Sequence, residues 1–309
     1  MFDKIVVVTR HTRLDELVAR LNSRSQAKFY IEHAGGDFAE YESEDDSYRR
    51  ALETLRGALD FGIKLQFVDR GFVPTFLFSP SDVVVAVGQD GLVANTAKYA
   101  AGQPLIGVNP DPDRFDGVLL PFGVKGARRA TALTLEAKAR IREVTLAEAS
   151  LSDGQRLLAF NDLFVGPKSH VSARYRLEID GRSEAQSSSG ILISTGAGST
   201  GWLSSVFNMA DGIARLTSGQ VGQPIRMEWE DPRLIYVVRE PFLSKHSGVS
   251  IVAGVLEAGG EIVVESLMPT GGVIFSDGIE ADFLGFDSGA TARVRTAAQK
   301  ARLVWESSK

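Results

Sequence analysis

From Lys4 to about residue 125 the chain alternates between unbroken apolar runs and segments whose apolar residues recur at helical spacing. Lys4 to Thr9 (KIVVVT) is a β-branched run of the type buried in parallel sheets. Ile63 to Val68, Asp82 to Val87 and Pro104 to Val108 predict three further short strands. Leu14, Leu17, Val18 and Leu21 share one face of a helix predicted over Thr12 to Leu21. Ala51, Leu52, Leu55 and Leu59 do the same over Ser47 to Leu59, with Ser47 at the N-cap position. Strands separated by helices argue for a parallel sheet covered on both faces. The charged, helix-favouring stretch Ala127 to Val144 predicts the crossover out of this layer.

Beyond Arg156 the pattern changes to strand after strand, separated by Gly, Asp and Ser turns. The predicted strands are Leu157 to Val165, Val171 to Ile179, Ile191 to Ser194, Leu234 to Arg239, Val249 to Leu256, Glu261 to Leu267 and Gly272 to Phe275. One helix, from about Thr200 to Met209, interrupts them, and Ser187-Ser188-Ser189 reads as a solvated turn. Two last pieces, Thr291 to Arg295 and Ala301 to Trp305, either finish this region or return to the first. The fold class is therefore α/β plus all-β: an N-terminal Rossmann-like parallel α/β domain over 1–125, a β-sandwich-type domain over 126–286, and a C-terminal segment over 287–309.

Composition narrows the chemistry. With 309 residues there is room for about two domains. No cysteine is present, which excludes disulfides, thiolate catalysis and Cys-ligated metal sites and suits a reducing compartment. A formal charge of −5 gives no global basic field for nucleic acid or an anionic membrane. No apolar run reaches the ~18 residues of a membrane span. Met1-Phe2-Asp3-Lys4 opens straight into a strand-like segment rather than a signal peptide, so a cytoplasmic location is expected. The four histidines are scattered without metal-ligand spacing, and no G-x-x-x-x-G-K-[ST] occurs. The acidic cluster Glu42, Glu44, Asp45, Asp46 reads as a solvated helix N-terminus, and Gly35-Gly36-Asp37 as a surface turn.

Three loops carry candidate chemistry. Gly88-Gln89-Asp90-Gly91-Leu92 follows the strand Asp82 to Val87 and precedes a helix predicted over Val93 to Tyr99. Glycines at such a turn let the backbone approach a phosphate, the helix offers amides, and an aspartate there can accept a proton. A plain Asp-Gly turn is the competing reading. Thr195-Gly196-Ala197-Gly198-Ser199-Thr200-Gly201-Trp202 follows Ile191 to Ser194. Gly196, Gly198 and Gly201 match G-x-G-x-x-G, but Asp211 falls too early for the acidic partner and Gly212 to Pro224 reads as a loop. Ala197 to Gly201 also matches an A-x-S-x-G elbow around Ser199, with Asp231 and His246 in hydrolase order. The third reading is a loop whose amides and hydroxyls hold a polar ligand. Asn161-Asp162 places two polar side chains inside an apolar run, facing a ligand or marking a strand break.

In order along the chain, these loops resemble those of the NAD kinase family, which carries a G-G-D-G-T loop, a G-V-N strand end, an N-E pair and a T-G-S-T loop. Gly88 to Leu92, Gly107-Val108-Asn109, Asn161-Asp162 and Thr195 to Trp202 stand in those places. GVNPDPDRFDGVLLP (Gly107 to Pro121), NDLFVGPKSHVSARYRLEIDG (Asn161 to Gly181), SSGILISTGAGSTGW (Ser188 to Trp202) and Val237 to Pro241 look most like the mitochondrial-type branch. The resemblance spans roughly Lys4 to Asp277.

The resemblance implies transfer of a phosphate from ATP or polyphosphate to the 2′-hydroxyl of the adenosine ribose of NAD, with Mg²⁺ on the donor phosphates. It makes Asp90 the acceptor of the hydroxyl proton. Gly88, Gln89 and Gly91 then cradle phosphate, Asn161 and Asp162 bond NAD, and Thr195, Gly196, Gly198, Ser199, Thr200, Gly201 and Trp202 hold the dinucleotide in a crevice between the domains. It also implies a homo-oligomer, dimer or tetramer. Gln89 stands for the family's second glycine, and a left-handed backbone there would cost about 1–2 kcal/mol. Leu92 replaces a threonine hydroxyl and Ser189 an aspartate. A catalytically silent nucleotide binder, or a kinase with a sugar or lipid acceptor, stays open beside the enzyme.

Overall fold

The computed structural model describes residues 2–100, 102–217, 219, 222 and 225–305. The chain divides into two units, Met1–Arg142 with Arg302–Lys309, and Glu143–Ala301.

In the first unit β1 (Lys4–Thr9) leads through α1 (Arg13–Leu21), α2 (Arg24–His33) and α3 (Phe38–Ala58) to β2 (Lys64–Asp69). Then come a 3₁₀ segment (Arg70–Thr75), β3 (Asp82–Val87), α4 (Asp90–Tyr99), β4 (Pro104–Asn109), the short β5 (Phe122–Gly123) and α5 (Val124–Leu135). The strands pair in parallel in the order β4-β3-β1-β2. Every residue of β3 and β4 is buried, as unbroken apolar runs require when helices cover both faces. Ile5, Val7, Val83, Val85, Ile106 and Val108 share one core with Leu55 of α3, Leu59 just beyond it, and Ala127 and Ala130 of α5.

Several boundaries differ from the sequence reading. Helix α3 begins at Phe38, capped by Asp37, whose carboxylate accepts the Ala39 N–H at 2.8 Å, so Ser47 is interior rather than a cap. The acidic cluster accordingly lies within the helix, and Glu44 and Asp45 are buried. Arg10 and Arg13 donate to Glu44, and Thr12 and Arg49 donate to Asp45. Burial opposes ionisation of both carboxyls, but these donors outweigh it and hold both below the ordinary range. Helix α2 was hidden because only Ala27 and Ile31 are buried along it. After α5 the chain turns at Ala137, with φ of 55°, and enters β6 (Ile141–Leu151), so the helix-favouring stretch to Val144 is half strand.

The second unit continues with β7 (Arg156–Ala159), β8 (Asp162–Pro167), β9 (Ala173–Ile179), β10 (Arg182–Ser188), β11 (Ile191–Ser194), a 3₁₀ turn (Ala197–Thr200) and α6 (Trp202–Thr217). Strands β12 (Leu234–Val238), β13 (Ala253–Leu256), β14 (Ile262–Ser266), β15 (Gly272–Ser276), β16 (Ile279–Gly285) and β17 (Thr291–Val304) complete it. One antiparallel layer runs β10-β9-β14-β17, with β6 beside β17 and β7 beside β6. The other runs β13-β12-β11-β8-β15-β16. Their inner faces, including Leu163, Val165, Tyr175, Leu177, Ile193 and Ile274, form one sandwich core.

Strand β10 ends in the serine run read as a solvated turn. Ser187 and Ser188 belong to it, and buried Ser188 hydrogen-bonds the Tyr175 hydroxyl at 2.7 Å. The two terminal pieces form one strand, β17, whose last residues Arg302 and Leu303 pair in parallel with Pro104 and Leu105 of β4. Among the described residues no helix is long and apolar enough to cross a membrane.

Candidate functional site

In the first unit the connection from β1 runs outward to β2, and that from β3 runs the other way to β4. The topological switch point thus falls between β1 and β3, where open parallel sheets place ligands at the carboxyl ends of strands. The Gly88 to Leu92 turn begins at that end of β3. A Cβ on Gly88 would lie 3.0 Å from Leu92 Cδ2 and 3.4 Å from Arg10 Cδ, so the glycine admits two flanking side chains. Gln89 caps α4 in an extended conformation, φ −120° and ψ 165°. The expected left-handed strain is absent, because the turn needs only an extended N-cap. Leu92 is buried, and an added Cβ at Gly91 would meet open space.

Asp90 opens α4. Its carboxylate accepts the Val118 N–H at 3.0 Å and the Leu119 N–H at 2.8 Å. The Gly107-Val108-Asn109 strand end supplies the reason those amides arrive there. A Cβ on Gly107 would overlap the Leu119 carbonyl oxygen, so only glycine lets that segment pass. Asn109 donates to the Phe115 carbonyl at 2.7 Å and accepts the Asp111 N–H at 3.0 Å, folding the connecting loop. The G-Q-D-G-L and G-V-N segments are therefore one assembly.

Arg10, at the end of β1, was not singled out in the sequence. Its backbone N–H donates to Tyr48 Oη at 2.9 Å, and the Tyr48 hydroxyl donates to the Val87 carbonyl at 3.0 Å. Burial pushes the Tyr48 hydroxyl up to about 12. The guanidinium pairs with Glu44 at 3.0 Å, while its Nε is buried without a hydrogen-bond partner, 3.5 Å from where a Gly88 Cβ would sit. An isolated arginine after a buried strand carries no periodic signal, so only the parallel pairing of β1 with β3 brings it to the glycine turn.

In the second unit the polar pair and the glycine loop also merge. The predicted strand Leu157 to Val165 is broken at Phe160-Asn161, between β7 and β8. Asp277, in the turn between β15 and β16, accepts the N–H groups of Phe160 at 3.0 Å, Asn161 at 2.6 Å and Asp162 at 3.3 Å. Thr195 closes the other side: its hydroxyl donates to the Phe160 carbonyl at 2.6 Å and its N–H to the Asn161 carbonyl at 2.9 Å. Asp277 was missed because an Asp-Gly turn between strands looks like any other hairpin.

The hydroxyls expected to face a ligand are in part used by the loop itself. Thr195 bonds the break, Ser199 donates to the Gly196 carbonyl at 2.7 Å, and both are buried. A Cβ on Gly196 would overlap the Glu228 carbonyl oxygen and one on Gly198 the Asn161 carbonyl oxygen. These two glycines permit close backbone packing, while Thr200 and Gly201 are exposed and Trp202 begins α6. The buried Asp162 carboxyl makes no hydrogen bond to the described residues. Burial, and then the charge of Asp277, push it up to about 7.

Two rival readings fail here. The glycine loop follows β11, which pairs antiparallel with β8 and β12, so no Rossmann βαβ unit surrounds it. The segment read as a loop from Gly212 is helical to Thr217, and residues 218, 220, 221, 223 and 224 lie outside the described residues. The hydrolase triad does not form: Ser199 Oγ donates to a backbone carbonyl, Asp231 is held bidentately by Arg233, and His246 lies in an exposed turn. Among the described residues no cluster of three or more His, Asp or Glu could hold a metal ion.

A parallel α/β unit with a glycine–aspartate turn, joined to an antiparallel β sandwich with a glycine–hydroxyl loop, is the two-domain fold of the NAD kinases, as comparison with solved structures shows. A yeast NADH kinase complexed with NADH superimposes with a TM-score of 0.58 at 15% identity, over 99% of this chain and 84% of that one. An NAD kinase from Archaeoglobus fulgidus in complex with ATP gives 0.53 at 17% identity, over 98% and 93%. Among curated sequences, the mitochondrial NAD kinase 2 of Rattus norvegicus is 23% identical over 315 residues, covering 78% of this chain and 74% of the relative. Its Homo sapiens counterpart is 23% identical over 316 residues, covering 78% and 71%. No family model matches the chain.

Proposed function

We propose that this protein is an NAD kinase-like phosphotransferase, moving a phosphate from ATP or polyphosphate to the 2′-hydroxyl of the adenosine ribose of NAD to give NADP. One observation carries the reading: a carboxylate, Asp90, oriented by two backbone N–H groups at the switch point of a parallel sheet, beside a glycine and a half-buried arginine. Phosphoryl transfer depends mainly on positioning and charge neutralisation, which such a turn can supply. Asp90 accepts the hydroxyl proton, a role worth about 10²–10⁴ in rate. Arg10 offsets phosphate charge at Gly88, and the Asn161-Asp162 break with the Thr195 to Trp202 loop holds the dinucleotide.

A carboxylate offers about four lone-pair sites, of which Val118 and Leu119 occupy two of Asp90's. The remaining capacity fits a hydrated Mg²⁺ carried mainly on substrate phosphates, where the ion neutralises charge on the transferring group. The mitochondrial-type branch and a homo-oligomeric state, dimer or tetramer, belong to the same proposal; the curated relatives support the branch. Nucleotide binding without turnover is a second reading, favoured by Leu92, whose buried apolar side chain stands against Gly88 in place of a hydroxyl.

The assay is purified protein with NAD, Mg²⁺ and either ATP or polyphosphate, followed by NADP formation. Asp90→Asn should lower kcat by about 10²–10⁴ with folding retained; full activity in that variant removes Asp90 from its role. Binding of NAD with no NADP from either donor supports the silent reading. Gel filtration of micromolar protein at a monomer mass rejects the oligomer.

A further inference from the structure

Glu44 of α3 is divided between two arginines. Its side chain is 3% exposed, and each carboxylate oxygen serves a different partner. Arg10 Nη2 donates to Oε1 at 3.0 Å, and Arg13 Nε donates to Oε2. Burial opposes ionisation of Glu44, and the two arginines outweigh it. Arg13 is seated in turn on Tyr41, about one turn before Glu44 on α3, with its guanidinium 4.5 Å from the ring centroid.

This division leaves one donor of Arg10 unused. The Nε–H and one Nη2–H lie on the same edge of a guanidinium, and a carboxylate often takes both with its two oxygens. Here Glu44 takes only Nη2–H, because its second oxygen is turned to Arg13. Arg10 Nη1 donates to the His11 carbonyl at 2.9 Å. Its Nε has no hydrogen-bond partner, in a side chain 10% exposed, and stands 3.5 Å from where a Gly88 Cβ would lie. Leu92 borders the same space through Cδ2 and offers no donor there. A buried donor without an acceptor is costly, so one kept open beside a glycine suits an acceptor that arrives with a ligand. Two arginines on one carboxylate also leave a net positive charge beside Gly88, where an Arg10–Glu44 pair alone would be neutral. An oxyanion answers both features.

We propose that Arg13 is a positioning residue for the phosphate donor: by holding one oxygen of Glu44, it keeps the Arg10 Nε–H open for a phosphate oxygen at the Gly88 turn. Without Arg13, the Glu44 carboxylate closes on both donors of the Arg10 edge and neutralises it. Arg13 touches no substrate; its effect passes through Glu44 and Arg10. The identity of the anion rests on the functional reading above, whereas the competition among the three side chains does not.

Calorimetric titration of the intact protein with inorganic tripolyphosphate, and separately with NAD, tests this in Arg13→Gln, Arg13→Lys and Arg10→Lys. The Arg13 side chain is 46% exposed, so its variants should fold. Arg13→Gln should weaken tripolyphosphate by about tenfold, the scale of one charge-assisted contact, and leave NAD affinity unchanged. In turnover the same variant should raise the donor KM with kcat kept. Arg13→Lys still offers Glu44 an ammonium and should retain most of the wild-type affinity. Arg10→Lys has no Nε–H and should lose as much as Arg13→Gln. Wild-type tripolyphosphate affinity in folded Arg13→Gln or Arg10→Lys overturns the proposal, as does a wild type that binds no tripolyphosphate. Equal losses in Arg13→Gln and Arg13→Lys, or a parallel loss of NAD affinity, mark a merely structural role and overturn it too. Should Arg13→Gln unfold, retention in Arg13→Lys with loss in Arg10→Lys supports the proposal, and any other pairing overturns it. NADP formation with an unchanged donor KM in Arg13→Gln leaves the kinase reading standing without this assignment; Arg13-dependent tripolyphosphate binding without NADP formation does the reverse.

Discussion

Asp277 and Asp162 stand together as two carboxyls with opposite assignments. Asp277 accepts three backbone N–H groups, from Phe160, Asn161 and Asp162, which stabilise its anion. The Asp162 carboxyl is buried beside that anion and makes no hydrogen bond to the described residues, so its proton is retained up to about pH 7. One member supports the strand break; the other presents a group that can donate as well as accept.

This arrangement has a pH signature. The folded-state pKa of Asp162 is raised from 3.8 to about 7, so its contribution to stability is fully present below the unfolded value and is lost as pH rises through the folded one. Asp162→Asn removes that loss. The variant should gain stability relative to the wild type between pH 5 and pH 8, measured as the difference in urea midpoints at the two pH values. A difference independent of pH contradicts the assignment.

Asp277→Ala strips the acceptor from three N–H groups and should destabilise the second unit by about 3 kcal/mol or more in chemical denaturation, since each unsatisfied buried donor costs about 1–3 kcal/mol. Asp277→Asn keeps a carbonyl acceptor and tolerates the φ of 53°. It should recover more than half of the loss.

The glycines divide by function. Gly198→Ala drives a Cβ into the Asn161 carbonyl oxygen and should cost about 1–3 kcal/mol of stability or more. Gly91→Ala meets nothing within 4 Å, in the first turn of α4, and should be neutral to about 1 kcal/mol stabilising. If phosphate approaches the backbone at that turn, Gly91→Ala raises the donor KM despite unimpaired folding. Thermal melts paired with donor titrations separate the two effects.

Gln89→Gly tests whether the departure from the family's double glycine is strained. With φ at −120° there is no strain to relieve, and the added freedom of the unfolded chain should lower stability by about 0.4–1 kcal/mol. A stabilised variant would show that the turn does resist a side chain.

The alternation of apolar runs and helical spacing was sufficient to place β1, β3 and β4, because residues buried on both faces leave an unbroken apolar signature. The antiparallel character of the second half followed from its turn chemistry. Helix α2 and strand β10 were illegible because few of their residues touch a core. The start of α3 was misplaced because buried Glu44 and Asp45 look like surface residues until Arg10, Arg13, Thr12 and Arg49 are seen around them.

By itself the sequence marked which short segments are candidates for chemistry: the aspartate turn after β3, the polar pair and the glycine–hydroxyl loop. It did so because glycines and side-chain acceptors inside apolar runs are costly anywhere but a tight turn or a site. Only the tertiary structure decided what each touches. Arg10, Leu119 and Asp277 reach their partners through strand pairings and loop returns from distant parts of the chain. Hydrogen bonds and ring contacts depend on separations of a few ångströms in space, and local periodicity contains no record of them.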